Sequence, residues 1–117
     1  MRVFVYYNLR KKLFSVKALE GENKGRVIAH RDEVTMMNAF FRVSQAGRQR
    51  VLREKRKNIH AGVIGDWFDD HPETILDGRS VTYNPYTHKY FITKDDGQPV
   101  FWAYRVNLKD KKVTVFP

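Results

Sequence analysis

One segment of this chain, from Gln45 to about Asn58, consists of strong helix formers interrupted only by Gly47. Elsewhere, β-branched and aromatic residues recur in short runs separated by Gly, Asn, Asp and Lys, a pattern typical of strands joined by turns. No repeat, low-complexity tract or linker divides the 117 residues. The sequence therefore predicts an α+β fold: one small ligand-binding domain over residues 1–117, mostly antiparallel β-sheet, with one main basic amphipathic helix.

The strands can be placed from these runs and from the turn residues between them. In chain order, they are predicted at Val3–Asn8, Leu13–Leu19, Arg26–His30, Glu33–Val43, Ala61–Phe68, Ser80–Tyr83, Lys89–Thr93, Val100–Leu108 and Lys112–Phe116. Within the fourth strand, the run Met36–Ala39 is also compatible with a helix, and that alternative stays open. The acidic segment Asp69–Thr74 is predicted to form a turn.

The predicted helix has two distinct faces, and Ser44 is placed to cap its N-terminus. The apolar side chains at helical spacing, expected to be buried, are Val51, Leu52 and Ile59. The polar and cationic side chains on a second stripe are Gln49, Arg53, Arg56 and His60. We therefore expect a helix with a cationic outer face.

Positive charge is concentrated around this helix. The chain has 22 Lys and Arg residues against 13 Asp and Glu residues, a formal net charge of +9. Six of these net charges lie between Arg42 and His60, where Glu54 is the only acid. Such an excess favours polyanionic partners: nucleotides, nucleic acid, an acidic protein or an anionic membrane surface.

Two interpretations of the cationic helix remain open. Guanidinium groups in fixed positions bind phosphate oxygens through paired, charge-assisted hydrogen bonds. Alternatively, the charged face is simply solvated. The scarcity of acids for i,i+4 ion pairs, together with the polar segment Asn58–Gly62 that follows the helix, favours a phosphate-bearing ligand.

The residue types that usually carry catalysis or bind metals form no recognisable motif. The chain has no Cys, its four His residues are widely spaced, and it lacks a P-loop and a dinucleotide-binding glycine motif. The adjacent acids Asp69/Asp70 and Asp95/Asp96 suit turns better than acid–base catalysis. We therefore expect a binding protein without a metal or cofactor, not an enzyme.

The cellular location is predicted from the absence of a signal peptide, a membrane span and cysteine. The segment Met1–Asn8 has the pattern of a strand and not of a signal peptide. No apolar run approaches the roughly 20 residues that a membrane span needs. Because a cysteine-free chain suits a reducing compartment, we expect a soluble protein of the cytoplasm.

A second candidate group surrounds the bend at Asn84-Pro85. Tyr83 and Tyr86 flank this bend and could stack on a base while Asn84 contacts the base edge. The alternative is a turn whose tyrosines only pack against the protein.

Arg105 is a charge within an aromatic run. Strict alternation places it on the same face as Phe101 and Ala103, opposite Trp102 and Tyr104. If Arg105 is buried there, it needs an anionic partner from the protein or from a ligand.

Several stretches together resemble one family of small phage proteins. They cover roughly half of the chain: Val5–Lys12, Ala18–His30, Ala46–Gly62 and the shorter Tyr83–Tyr86. At these residues the chain resembles the phage anti-Thoeris sponge proteins of the first type.

The resemblance implies a function and an assembly. Members sequester glycocyclic ADP-ribose, the signal that bacterial TIR-domain proteins make on infection, without cleaving it. Some also form hexamers and hold cyclic oligonucleotides of the CBASS defence at separate sites. The resemblance thus implies a homo-oligomer, a hexamer, in the host cytoplasm. Charge and aromatic content alone also support a small nucleic-acid-binding protein.

Carried over position by position, the resemblance also implies ligand contacts. Arg53 and Arg56 would bind phosphate, and Arg105 would be a second phosphate clamp. Tyr83 and Asn84 would contact the adenine side of the ligand. The remaining candidates are Arg26, Lys57, Asn58 and His60.

Overall fold

The computed structural model describes residues 1–68 and 78–116, and in this part of the chain nine strands form a single antiparallel sheet beside one helix. The strands are β1 (Arg2–Asn8), β2 (Leu13–Ala18), β3 (Val27–Arg31), β4 (Glu33–Val43), β5 (Ala61–Phe68), β6 (Arg79–Thr82), β7 (Ile92–Thr93), β8 (Trp102–Lys109) and β9 (Lys112–Phe116), and the helix is α1 (Gln45–Glu54). Across the sheet the order is β3-β2-β1-β5-β4-β8-β9-β6-β7. The predicted α+β fold is confirmed, and Met36–Ala39 belongs to a strand. The predicted turn Asp69–Thr74 lies outside the described residues.

The core lies on one face of this sheet because the strands alternate as their sequences predict. In β1, Val3 and Val5 are fully buried, whereas Phe4 between them is half-buried on the opposite face. Val16 and Val63 pair with Val5 from the two neighbouring strands and are buried with it. Hydrophobic burial on this face provides the main driving force for folding.

A β-bulge in β4 interrupts this alternation. The register against β5 shifts between Met37 and Phe40, so one extra residue of β4 must be accommodated. Asn38 adopts φ +49° there, a left-handed conformation that Asn tolerates better than most residues. As a consequence, Met37 and Phe40 lie on the same face although they are three positions apart.

Helix α1 begins as predicted but ends earlier. The Ser44 side chain accepts a hydrogen bond from the Gly47 N–H at 3.2 Å, which confirms the N-cap. The predicted end near Asn58 is wrong: the helix ends at Glu54, and Lys55 adopts a left-handed conformation with its N–H bonded to Val51.

The chain turns back here because it must enter β5 beside β4. The Ser44 N–H donates to the His60 carbonyl at 2.7 Å, which closes the loop containing α1. The early end also corrects the predicted stripes. Ile59 lies outside the helix and is exposed, and Arg56 and His60 share no helical face with Arg53.

Arg48 anchors the helix to the rest of the molecule. This side chain is only 8% exposed, and its Nε–H donates to the carbonyl oxygens of Pro85 at 2.9 Å and His88 at 3.0 Å. Although it belongs to the cationic segment, Arg48 is therefore a structural residue. Its charge is directed at the turn that precedes β7.

The end of the sheet that carries β7 folds back towards the central strand β4. The Phe91 ring lies 5.0 Å from the Phe41 ring of β4 and 5.1 Å from the Tyr83 ring, measured between centroids. The predicted strand Lys89–Thr93 is shorter in the structure, because only Ile92 and Thr93 form β7. In the described residues, no helix has the length and apolar character needed to cross a membrane.

Candidate functional site

Five of the nine predicted site residues lie at the helix exit, which we define as residues 53–60: Arg53, Arg56, Lys57, Asn58 and His60. Arg53, Arg56, Lys57 and Asn58 are all exposed. Within the described part of the chain, none of the three cations is paired with an acid, whereas Arg50 forms an ion pair with Glu54 at 2.7 Å. The helix exit is thus a cationic surface open to solvent.

His60 and Tyr83, both predicted as ligand contacts, interact with each other in the structure. The Nδ1 atom of His60 lies 2.9 Å from the Asn58 carbonyl, so Nδ1 carries the proton, and Nε2 accepts from the Tyr83 hydroxyl at 2.7 Å. The Tyr83 ring also stacks on Phe91. Burial raises the pKa of Tyr83, and the nearby Arg48 charge partly opposes this shift.

Asn84 is also used within the protein. Its side-chain oxygen accepts the Tyr86 N–H at 2.9 Å, and its carbonyl accepts the N–H groups of Thr87 and His88. This is the local capping that Asn commonly provides in turns. Asn84 therefore stabilises the turn whose carbonyl oxygens accept the hydrogen bonds of Arg48.

The other two predicted residues lie elsewhere. Arg26 is in the exposed turn before β3, at the opposite end of the strand order from β7. Arg105 is on β8, where it pairs with Met37 and Phe116. Among the described residues, no hydrogen bond, ion pair or ring contact joins either arginine to the helix exit.

A groove of about 370 Å³ lies between the C-terminal end of β4 and the segment that precedes β7. Half of its ten lining residues are aromatic, two are cationic and none is acidic: Phe40, Phe41, Arg42, Val43, Gln45, Ile64, Lys89, Tyr90, Phe91 and Phe101. None of the nine predicted site residues lines it. Arg42 and Lys89 are exposed, and neither side chain forms an ion pair within the described chain.

The outer face of the sheet continues from this groove. Residues that pair across antiparallel strands share a face, so the register defines rows that run from strand to strand. One such row, here called the apolar row, crosses four neighbouring strands: Phe4, Ile64, Phe40 and Trp102. Phe40 is 48% exposed and Trp102 51% exposed, although both are large apolar side chains.

A second row on this face, here called the charged row, crosses five strands: Arg2, Asp66, Met37, Arg105 and Phe116. The Arg2 guanidinium lies 3.4 Å from the Asp66 carboxylate and also packs over the Phe40 ring. Arg105 packs over Phe116, and its buried Nε has no hydrogen-bond partner among the described residues. Ala103 is buried in the core together with Val106, whereas Arg105 pairs with Met37, so the predicted sharing of a face between Arg105 and Ala103 is not found.

A glycine is required for this outer face to pack. A Cβ atom at Gly62 would lie 2.5 Å from the Val5 carbonyl oxygen and 2.7 Å from the Phe4 ring. The Phe4 ring therefore occupies the space that a side chain at position 62 would fill. In this way Phe4 is held in the apolar row.

Sequence reasoning missed the groove and both rows. The doublet Phe40-Phe41 was the available signal, because strand alternation must send one of two adjacent large rings outward. Among residues 1–68 and 78–116, no three His, Cys, Asp or Glu side chains are grouped so that they could hold a metal ion.

Comparisons with known proteins place the chain in a phage family. The family model of the Mycobacterium phage L5 gene 82 protein matches residues 1–116. The chain is 40% identical over 119 aligned positions to the Gene 82 protein of Mycobacterium phage L5, an alignment that covers 97% of this chain and 94% of that relative. No solved structure matches the chain significantly. The resemblance to phage proteins is thus confirmed, while the anti-Thoeris function remains a prediction. The chain belongs to the family of the Mycobacterium phage L5 gene 82 protein.

Proposed function

We propose that this phage protein binds a nucleotide ligand in the groove beside β4. One observation carries the proposal: the groove combines aromatic walls with two cations that form no ion pair within the described residues, and none of its lining residues is acidic. A nucleotide offers a flat base and phosphate oxygens, which are the groups that rings and cationic side chains recognise.

The dimensions of the groove support a ligand of this size. Small-molecule sites in proteins usually enclose about 300–1,000 Å³, and a volume of about 370 Å³ lies at the lower end of that range. A base would stack on the exposed ring of Phe101, which also contacts the Tyr90 ring at a centroid distance of 5.8 Å. Its phosphates would meet Arg42 and Lys89 at the rim.

The resemblance to the anti-Thoeris sponge proteins implies one such ligand. Glycocyclic ADP-ribose carries an adenine base and two phosphates, and the protein would sequester it without cleavage to block Thoeris defence in the infected host. The resemblance assigns phosphate binding to Arg53 and Arg56, whereas the groove assigns it to Arg42 and Lys89. Because both pairs are exposed cations, one experiment can separate the two sites.

Calorimetric titration with glycocyclic ADP-ribose and with ADP provides this test. The double variant Arg42→Ala/Lys89→Ala should weaken binding by about 1–3 kcal/mol for each lost charge-assisted hydrogen bond. The matched control, Arg53→Ala/Arg56→Ala, removes the same charge outside the groove and should have a much smaller effect. The opposite ranking would assign the ligand to the helix exit and contradict the groove proposal.

Sequestration and cleavage can be separated with the same ligand. Protein saturated with glycocyclic ADP-ribose is heated, and the released small molecule is analysed by mass spectrometry. We expect intact ligand in an amount equal to that bound. A cleaved product would show that the protein is a hydrolase and would contradict the sponge function.

A further inference from the structure

We propose that the outer face of the sheet, formed by the apolar and charged rows, binds single-stranded nucleic acid. The inference rests on the proposed function, since the groove and the apolar row share Phe40 and Ile64. It extends the ligand class from a single nucleotide in the groove to a strand that continues across β4 and β8.

The apolar row provides surfaces for base stacking. Phe40 and Trp102 are directly opposite each other on neighbouring strands, and about half of each side chain faces solvent. Neighbouring strands lie about 4.8 Å apart, so the row from Phe4 to Trp102 spans roughly 14 Å. Proteins that bind single strands present aromatic rings in this way, because every base has a face that can stack.

The cations on the same face are placed to contact a phosphate backbone. Arg42 lies next to Phe40 in the alternation of β4, and Lys17 pairs with Phe4 across β1 and β2. Arg105 is the most informative of these residues. Its buried Nε has no hydrogen-bond partner and its guanidinium has no ion pair within the described chain, so a phosphate would supply the anionic partner that this arginine lacks.

Charge favours a nucleic acid over a second copy of this chain as the occupant. A two-fold symmetric interface places the same patch on both partners. The cations Arg2, Lys17, Arg42 and Arg105 would then face their own copies, with Asp66 as the acid of the charged row and already paired to Arg2. A polyanionic strand encounters no such repulsion and neutralises part of the net charge of +9.

The test is fluorescence anisotropy with labelled oligothymidylates of about four, eight and twelve nucleotides, lengths that bracket the footprints of single-strand-binding domains. Affinity should rise with length and exceed that for thymidine monophosphate. Trp102→Ala should weaken oligonucleotide binding about 5- to 150-fold, the range for losing one stacked base, while Trp102→Phe should retain most of it. The matched control is Tyr86→Ala, which removes an aromatic ring of similar exposure from a turn outside the sheet.

The salt dependence tests the role of Arg105. Each phosphate contact on a single strand contributes about 0.7 to the slope of log affinity against log salt, so Arg105→Ala should reduce the slope by about that amount. An unchanged slope would remove Arg105 from the proposed path of the strand.

Other outcomes would overturn the inference. Oligonucleotides that bind no more tightly than the mononucleotide, or that are insensitive to Trp102→Ala, would contradict it while leaving nucleotide binding in the groove intact. If the wild-type chain binds neither the oligonucleotides nor the mononucleotide, the proposed function is contradicted as well. If Trp102→Ala instead dissociates an oligomer and no oligonucleotide binds, the face is an interface between copies.

Discussion

Arg48 shows that residues of one type in one segment can have opposite roles. It lies within a run of cations, yet it is nearly as buried as the apolar core and makes two hydrogen bonds to carbonyl oxygens. Arg50, two positions later, is exposed and pairs only with Glu54. The two arginines are equivalent in a count of charges, but in the structure one anchors the helix and the other is exposed to solvent.

We predict that Arg48→Ala lowers the free energy of unfolding by about 2–4 kcal/mol. The substitution removes a charged hydrogen-bond donor and leaves two carbonyl oxygens, on Pro85 and His88, without their partner. Urea denaturation followed by circular dichroism measures the effect. Arg50→Ala, which also removes one positive charge from α1, should change stability by less than about 1 kcal/mol. Equal losses in the two variants would contradict the anchoring role of Arg48.

At the scale of elements, the contact between α1 and His60, the residue before β5, requires a glycine at position 47. A Cβ atom at Gly47 would lie 2.6 Å from the Cβ of His60, closer than two such atoms normally approach. Gly47 weakens the helix by its conformational freedom, yet it allows the helix to lie against His60. The His60–Tyr83 hydrogen bond depends on that close approach.

We therefore predict that Gly47→Ala destabilises the protein although Ala is the better helix former. Helix propensity alone would stabilise the variant by about 1 kcal/mol, whereas overpacking against His60 costs about 1–3 kcal/mol. Thermal unfolding should show a lower midpoint than wild type. Gln49→Ala, an exposed change in the same helix, should stay within about 0.5 kcal/mol of wild type. A raised midpoint for Gly47→Ala would mean that the close approach does not constrain the fold.

The positions of strands were predictable from sequence, and the register between them was not. Alternation of β-branched and aromatic residues predicted each strand, in three cases with both ends correct: Glu33–Val43, Ala61–Phe68 and Lys112–Phe116. The end of α1 was missed because Lys55, Arg56 and Lys57 favour helix, whereas the pairing of β4 with β5 requires the chain to turn back. The outer face was missed because the bulge at Asn38, which brings Met37 and Phe40 onto one face, depends on how β4 pairs with β5.

At the scale of the whole molecule, size and surface favour self-association. A chain of 117 residues keeps a large fraction of its surface exposed, and the resemblance to sponge proteins implies a hexamer. We predict that sedimentation equilibrium gives a mass that is a multiple of the monomer. Trp102→Ala should leave this mass unchanged, because we assign the outer face to a nucleic-acid strand and not to an interface between copies. A monomeric wild-type protein would contradict the oligomer.

The hydrogen bond between Ser44 and His60 has a consequence for how relatives of this protein can vary. It forms a closed neck, so the fifteen or so residues beyond it, 45–59, resemble a side branch on an otherwise continuous β4–β5 hairpin. Doubling the length of such a branch costs only about 0.6 kcal/mol in chain entropy. We expect insertions and deletions among family members to accumulate in the part of this branch that follows the helix, residues 55–59, which are exposed, while the sheet on either side keeps the same pairing. The branch is also the natural position at which to splice a reporter into the chain.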